Sequence, residues 1–111
     1  MALRIATFNL KDFFSPRGPE EQGLVEQKVD AAAASLRRAR ADVVALQEMG
    51  GEAMARMLVE RVPELGYGPP VVGTQDKRGI GNCILSRLPI LWSQVHQAKS
   101  QFVADGRFYG P

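Results

Sequence analysis

The sequence predicts an α/β fold in which one mainly β sheet carries two helices on one face. Two observations support this: short apolar runs alternate with longer segments of helical periodicity, and most runs end at glycine or polar residues. With 111 residues, 45% of them hydrophobic, the chain can form one domain with a small core. No apolar run approaches the roughly 20 residues that cross a bilayer.

The first half of the chain predicts a strand, a helix and a second strand. Residues 3–8 form a short β-rich run that ends at Asn9, and residues 42–47 form another that ends at Glu48. Between them a turn-rich loop leads into a helix from about Glu20 to Arg40. Its apolar face is expected to carry Leu24, Val25, Val29, Ala32, Ala33 and Leu36.

The second half predicts one more helix and several strands. The helix spans about 52–65 and is expected to turn Met54, Leu58, Val62 and Leu65 inward. Residues 66–74 predict an edge strand or an irregular strand, since prolines 69 and 70 cannot donate to a sheet ladder. Residues 80–86 and 90–95 predict two strands of a hairpin, and residues 100–104 predict a further strand.

Asn9 and Glu48 are candidate site residues because each follows a strand of a predicted parallel pair. Such strands finish at the same sheet edge, where ligands bind in open α/β sheets. Glu48 offers the oxygen ligand that Mg²⁺ prefers, and Asn9 offers both a donor and an acceptor for phosphate or metal-bound water. The alternatives are a surface glutamate at a strand end and an asparagine that caps the following turn.

A third segment makes the interpretation specific. It reads Gly81-Asn82-Cys83-Ile84-Leu85-Ser86-Arg87-Leu88-Pro89-Ile90. Two earlier segments complete the pattern: residues 5–9 (Ile-Ala-Thr-Phe-Asn) and residues 41–48 (Ala-Asp-Val-Val-Ala-Leu-Gln-Glu). In these three segments the sequence resembles the endonuclease/exonuclease/phosphatase superfamily of metal-dependent phosphodiesterases and phosphatases. The resemblance runs from about Leu3 to about Phe102.

This resemblance implies the N-terminal part of the family's domain, residues 1–111, and hence half of a four-layer α-β-β-α sandwich. It implies a Mg²⁺- or Mn²⁺-dependent, nuclease-like phosphodiester hydrolase, with Glu48 as metal ligand and Asn9 and Glu48 as catalytic residues. DNA, RNA, phosphoinositide and sphingolipid substrates all stay open.

The family's later motifs have no counterpart in the 111 residues. These are an Asp-x-Asn motif, a second acidic metal-site residue and a terminal Asp-His pair. His96, the one histidine, lies elsewhere and is expected to be structural. We therefore expect a truncated half that is inactive alone; the alternative is a non-catalytic, self-associating α/β remnant or assembly module.

Charge and the remaining reactive residues add weaker indications. A net charge of +2 suits an anionic partner such as nucleic acid without requiring one. Arg78 is a candidate for binding substrate phosphate, or a solvated loop arginine; Lys28 and Asp30 are expected to face solvent. The single cysteine, Cys83, excludes an internal disulfide and is expected to be a buried, inert thiol. Without an N-terminal signal peptide, a cytoplasmic location is expected.

The sequence also predicts association. Continuous apolar runs suit strands buried on both faces, and here they comprise Ile84, Leu85, Ile90, Leu91 and Trp92. An uncovered inner sheet face would expose a large apolar patch. We expect a homo-oligomer, or a complementary C-terminal half, to cover that face, with Trp92 at or near the interface.

Overall fold

The computed structural model describes residues 2–96 and the backbone of residues 103–104 and 107–108. The elements, in chain order, are β1 (Ile5–Phe13), α1 (Pro19–Ala39), β2 (Val43–Met49), α2 (Glu52–Arg61), a 3₁₀ turn (Pro63–Leu65), β3 (Val71–Val72), β4 (Gly81–Ser86), β5 (Val103–Ala104) and β6 (Arg107–Phe108). Strands β1 to β4 form one sheet in the order β1-β2-β4-β3, and β5 pairs with β6. Among the helices in these residues, none has the length and apolarity needed to cross a membrane.

Strands β1 and β2 are parallel, with α1 as the crossover between them. Ile5 lies opposite Val43 and Asn9 lies opposite Gln47. Strand β4 runs antiparallel to β2 on its other side, and β3 adds a short outer edge to β4. The predicted parallel pair and the predicted edge position of the proline-flanked strand are confirmed.

Both helices pack on one face of the sheet, so the predicted fold class is confirmed. The sheet contributes alternate side chains to a single core: Ala6, Phe8 and Leu10 of β1, Val44 and Leu46 of β2, and Cys83 and Leu85 of β4. The helices contribute Val25, Val29, Ala32, Ala33 and Leu36 of α1 and Met54, Ala55 and Leu58 of α2. Full burial of a side chain such as Leu46 contributes about 1.5–3 kcal/mol.

Two local predictions, the burial of Leu24 and a strand over residues 90–95, are wrong. Leu24 is 54% exposed, because the buried stripe of α1 begins at Val25 and Leu24 falls on its flank. Residues 90–95 form no strand and therefore no hairpin. Leu91 and Trp92 are instead 94% and 77% exposed. Of the neighbouring residues Ile84 and Leu85 in β4, only Leu85 is buried in the core, since Ile84 lies on the opposite face of the sheet.

Two predicted boundaries shift for local reasons. Helix α2 ends at Arg61 because Pro63, which lacks an N–H, starts a 3₁₀ turn instead of another helical turn. The predicted strand over 66–74 shrinks to Val71–Val72, directly after the two prolines. Of the predicted strand at 100–104, residues 103–104 are a strand, and residues 100–102 lie outside the described part of the chain.

The other side of the sheet is here called the open face. It carries Ile5, Thr7, Asn9, Val43, Ala45, Gln47 and Ile84. Within residues 2–96 neither helix contacts this face, and Ile5 is 69% exposed on it. The candidate site lies where the open face meets the carboxyl ends of β1 and β2.

Candidate active site

Both strands leave regular β geometry at the predicted site. Lys11 and Asp12 in β1 have φ values of 54° and 56°, and Glu48 in β2 has a φ of 62°. The β1–β2 register shifts between Asn9 and Phe13, and the β2–β4 register shifts between Leu46 and Met49. Left-handed residues other than glycine are uncommon and concentrate at functional sites, and bulges re-aim side chains at a sheet edge.

Topology brings Asn9 and Glu48 to this edge together. Asn9 lies opposite Gln47, the residue before Glu48, on the neighbouring strand. Adjacent strands are about 4.8 Å apart, so the two residues belong to one small region. The catalytic and metal-binding roles of these residues remain predictions.

The Asn9 side chain uses only part of its hydrogen-bonding capacity inside the protein. Its Oδ1 accepts a hydrogen bond from Lys11 N at 2.8 Å, which is the turn-capping role considered as an alternative. Within residues 2–96 no acceptor contacts its Nδ2 group. Asn9 is therefore available to a ligand as an N–H donor, with its oxygen already engaged.

Glu48 has a different environment. The residue is partly buried, and no donor or cation from residues 2–96 is hydrogen-bonded or ion-paired with its carboxylate. A partly desolvated carboxylate without a protein partner is suited to a cation. Within the described residues no three His, Cys, Asp or Glu side chains converge on a metal position. A divalent ion at Glu48 would therefore need further ligands from outside these residues.

Close packing of the ends of β1 and β2 fixes the positions of the two strand ends that carry Asn9 and Glu48. Gln47 Nε2 donates to Thr7 Oγ1 at 3.0 Å, which links β2 to β1 on the open face. A Cβ on Gly50 would lie 2.1 Å from the Phe13 carbonyl oxygen, so only glycine permits this approach. Ser15 Oγ donates to the Gly50 carbonyl at 3.1 Å. The sequence indicates Gly50 only as a strand stop, because close approach between distant segments leaves no local pattern.

Glu48 also lines a cleft formed with the loop between β3 and β4. Arg78 lies in this cleft and pairs with Asp76 at 2.8 Å. The hydrogen bond to Asp76 is the main reason that the pKa of Arg78 is raised, and the charges of Glu48 and Asp12 add to the effect. Arg78 is thus held near the candidate site as a cation; its contact with substrate remains a prediction.

Lys77 and His96 line the same cleft. The sequence predicts a strand and a structural role for His96, but this residue lies in an exposed, non-strand segment beside the cleft. Sequence reasoning misses both residues as members of the cleft, because neither belongs to a recognisable motif.

The Ser-Arg-x-Pro segment lies at the opposite end of β2. The Asp42 carboxylate accepts hydrogen bonds from Arg4 N at 2.8 Å and from Arg87 Nη2 at 2.7 Å. The Arg4 N–H is the main cause of the lowered pKa of Asp42, and the Arg87 charge adds to it. This part of the third motif therefore joins β1, β2 and β4, away from Glu48. Cys83 is buried, and burial raises the pKa of its thiol to about 12, as expected for an inert cysteine.

Comparison with known proteins agrees with this fold. Residues 6–110 match the model of the Endonuclease/Exonuclease/phosphatase family, and the chain belongs to that family. It is similar to the crystal structure of endonuclease/exonuclease/phosphatase from Beutenbergia cavernae DSM 12333, with a TM-score of 0.50 and 26% identity. The match covers 82% of this chain and 27% of that one, so the chain spans well under half of its structural neighbour. No curated protein matches the sequence.

Proposed function

We propose that this chain belongs to a divalent-metal-dependent phosphoesterase that hydrolyses phosphodiesters, and that it supplies a metal-binding carboxylate and a phosphate-orienting amide. The observation that carries the proposal is that Asn9 and Glu48 lie on neighbouring strands at one sheet edge, beside residues with positive φ. The Glu48 carboxylate has no partner among residues 2–96, and the neighbouring Asn9 Nδ2 has no acceptor among them.

The two residues have complementary roles. Glu48 would hold Mg²⁺ or Mn²⁺, which supplies charge neutralisation at the phosphate and positions the attacking water. Asn9 would donate from Nδ2 to a non-bridging phosphate oxygen, while its Oδ1 stays bound to Lys11 N at 2.8 Å. Because the Lys11 contact fixes the amide, the donor is preorganised.

The cleft places two cations next to the proposed metal position, together with the carboxylates of Glu48 and Asp76. Lys77 and Arg78 line it beside Glu48, and Arg78 is held there by Asp76. A phosphodiester of a nucleic acid is therefore the substrate class that we propose first, with Arg78 contacting a phosphate next to the one that is cleaved.

We also propose that the 111-residue chain alone binds metal weakly and turns over slowly. It contains no counterpart of the family's later Asp-x-Asn and Asp-His segments. Loss of members of a cooperating catalytic set lowers rates by orders of magnitude.

The test is hydrolysis of bis-p-nitrophenyl phosphate with Mg²⁺ or Mn²⁺, by this chain and by a longer protein that carries it. In the longer protein, Glu48→Gln should lower kcat/KM by at least about 100-fold, as expected for a lost catalytic group. The matched control is Glu60→Gln, an exposed glutamate on α2, which should leave activity unchanged. Equal activity of the wild type and the Glu48 variant would exclude the proposed role.

A second candidate function is self-association through the open face. It is favoured by the exposure of Ile5 on that face and of Leu91 and Trp92 in the segment after β4. Two copies facing each other would cover a self-complementary apolar surface. Sedimentation of the 111-residue chain should then show a dimer or larger species at micromolar concentration, and Trp92→Ala should weaken it. A monomer at that concentration would contradict this candidate.

A further inference from the structure

Lys28 makes a contact that its position on a helix does not predict. It lies on α1 next to buried Val29, and it is partly buried itself. Its Nζ donates to the backbone carbonyl of Asp12 at 3.0 Å. The same carbonyl accepts a hydrogen bond from Phe14 N at 2.8 Å, so both of its lone pairs are used. Lys28 is thus a partly exposed residue whose ammonium group is engaged by a backbone carbonyl.

The carbonyl that Lys28 holds belongs to the left-handed turn of β1. Lys11 and Asp12 are consecutive residues with positive φ. Two such residues in succession persist only where the surroundings over-determine the backbone. The bond from Lys28 ties this turn to α1, which is itself anchored in the core through Val25, Val29 and Ala32.

This left-handed turn also fixes the orientation of the Asn9 side chain. The N–H of Lys11, inside the turn, donates to Asn9 Oδ1 at 2.8 Å. A continuous series of contacts therefore runs from the Lys28 ammonium through the backbone of Asp12 and Lys11 to the Asn9 amide. If the turn relaxes, the amide loses the donor that sets its orientation.

We propose that Lys28 is a positioning residue for the site: it holds the left-handed turn of β1 and thereby fixes the direction in which Asn9 presents Nδ2. This inference rests on the proposed function for its catalytic consequence, whereas the link from Lys28 to Asn9 can be measured without any activity. A purely structural lysine would affect global stability but would not act selectively on Lys11 and Asn9.

The experiment compares Lys28→Met, Lys28→Arg and Arg38→Met in the full-length protein. Lys28→Met keeps the length of the side chain and removes the donor, whereas Lys28→Arg restores a donor. Arg38→Met is the matched control, because Arg38 is an exposed cation near the far end of the same helix. The measurements are amide hydrogen exchange at Lys11, the side-chain NH₂ resonances of Asn9, thermal unfolding, and kcat and KM for bis-p-nitrophenyl phosphate.

The expected result is selective. Lys28→Met should abolish the protection of the Lys11 amide, shift the Asn9 NH₂ resonances and lower kcat by up to about 100-fold with a smaller change in KM. Lys28→Arg should restore all three, and Arg38→Met should change none of them.

Two results would overturn the proposal. One is an unchanged Lys11 amide and unchanged Asn9 resonances in Lys28→Met; the other is a lowered melting temperature with no selective effect at these two residues. If no variant, Glu48→Gln included, affects hydrolysis, the proposed function fails, while the exchange and resonance data still decide whether Lys28 orients Asn9.

Discussion

Gly50→Ala should be strongly destabilising, because Gly50 touches the backbone of the neighbouring strand. The new Cβ would lie 2.1 Å from the Phe13 carbonyl oxygen and 3.0 Å from Phe14 Cα, where ordinary contact begins near 3.4 Å. The strand ends would have to separate by about 1.3 Å at the carbonyl, the difference between 3.4 and 2.1 Å. Overpacking of this kind costs at least about 2 kcal/mol, well above the fraction of a kcal/mol gained by restricting the unfolded chain.

The matched control is Gly23→Ala in the second turn of α1. Beyond the helix's own backbone, no atom lies within 4 Å of the Cβ that alanine would add there. Alanine therefore fits and should stabilise the helix by about 0.5–1 kcal/mol. Urea unfolding should move the midpoint in opposite directions for the two variants, with little change in slope.

The proposed metal binding, measured by calorimetry, should also be weaker in Gly50→Ala, since Glu48 lies two residues away on the displaced strand end. A free energy of unfolding within about 0.5 kcal/mol of the wild type, the range of ordinary surface substitutions, would refute the close packing of these strand ends. The preorganisation of Asn9 and Glu48 would then lose its structural basis.

Three further predictions concern groups away from the site. Asp42→Asn should destabilise the protein at neutral pH, because the ionised carboxylate accepts hydrogen bonds from Arg4 N and Arg87. The pKa of Asp42 is lowered in the folded protein. The contribution of this carboxylate to stability is therefore present above the ordinary pKa of 3.8 and is lost as the pH falls through the folded pKa. Urea unfolding at neutral and acidic pH should show the difference from wild type shrinking in acid, and a constant difference would contradict this. Tyr67→Phe should lower the free energy of unfolding by about 1–2 kcal/mol in the same assay, because it removes the hydroxyl that donates to the buried Ala41 carbonyl at 2.8 Å. An unchanged unfolding midpoint would count against that hydrogen bond. Burial raises the pKa of the Cys83 thiol to about 12. At mildly alkaline pH the thiol should therefore react with a thiol reagent only as fast as the protein unfolds. Rapid labelling of the folded protein would show that the thiol is not buried.

Local patterns are enough to predict the part of the fold that brings the two site residues together. The runs before Asn9 and Glu48 are short and apolar, and the intervening segment has helical spacing, so a parallel β-α-β unit follows. The parallel register then puts Asn9 opposite Gln47. The candidate edge therefore depends only on periodicity and on the handedness rules of such units.

The features that shape the site at atomic scale are beyond these patterns. Lys11 and Glu48 adopt positive φ although neither is a glycine, asparagine or aspartate, the residues that usually signal this conformation. The contact of Lys28 with Asp12 joins residues from different elements. Both depend on tertiary packing, which leaves no trace in neighbouring sequence.

The predicted strand at 90–95 is wrong for a related reason. Ile90, Leu91 and Trp92 have high strand propensity, but propensity measures fit to a pleated surface with neighbours. Within residues 2–96 no strand of the sheet pairs with residues 90–95, so this segment lies outside the sheet.

The crossover between β1 and β2 has a consequence for how the candidate site forms. Asn9 precedes α1 and Glu48 lies near the end of β2, so no local interaction joins them. They meet only after the long β-α-β loop has closed, a step whose entropic barrier makes non-local parallel pairing slow compared with helix formation. During refolding, helical signal from α1 should therefore appear before metal affinity at Glu48, and the site should mature with the sheet as a late, cooperative event.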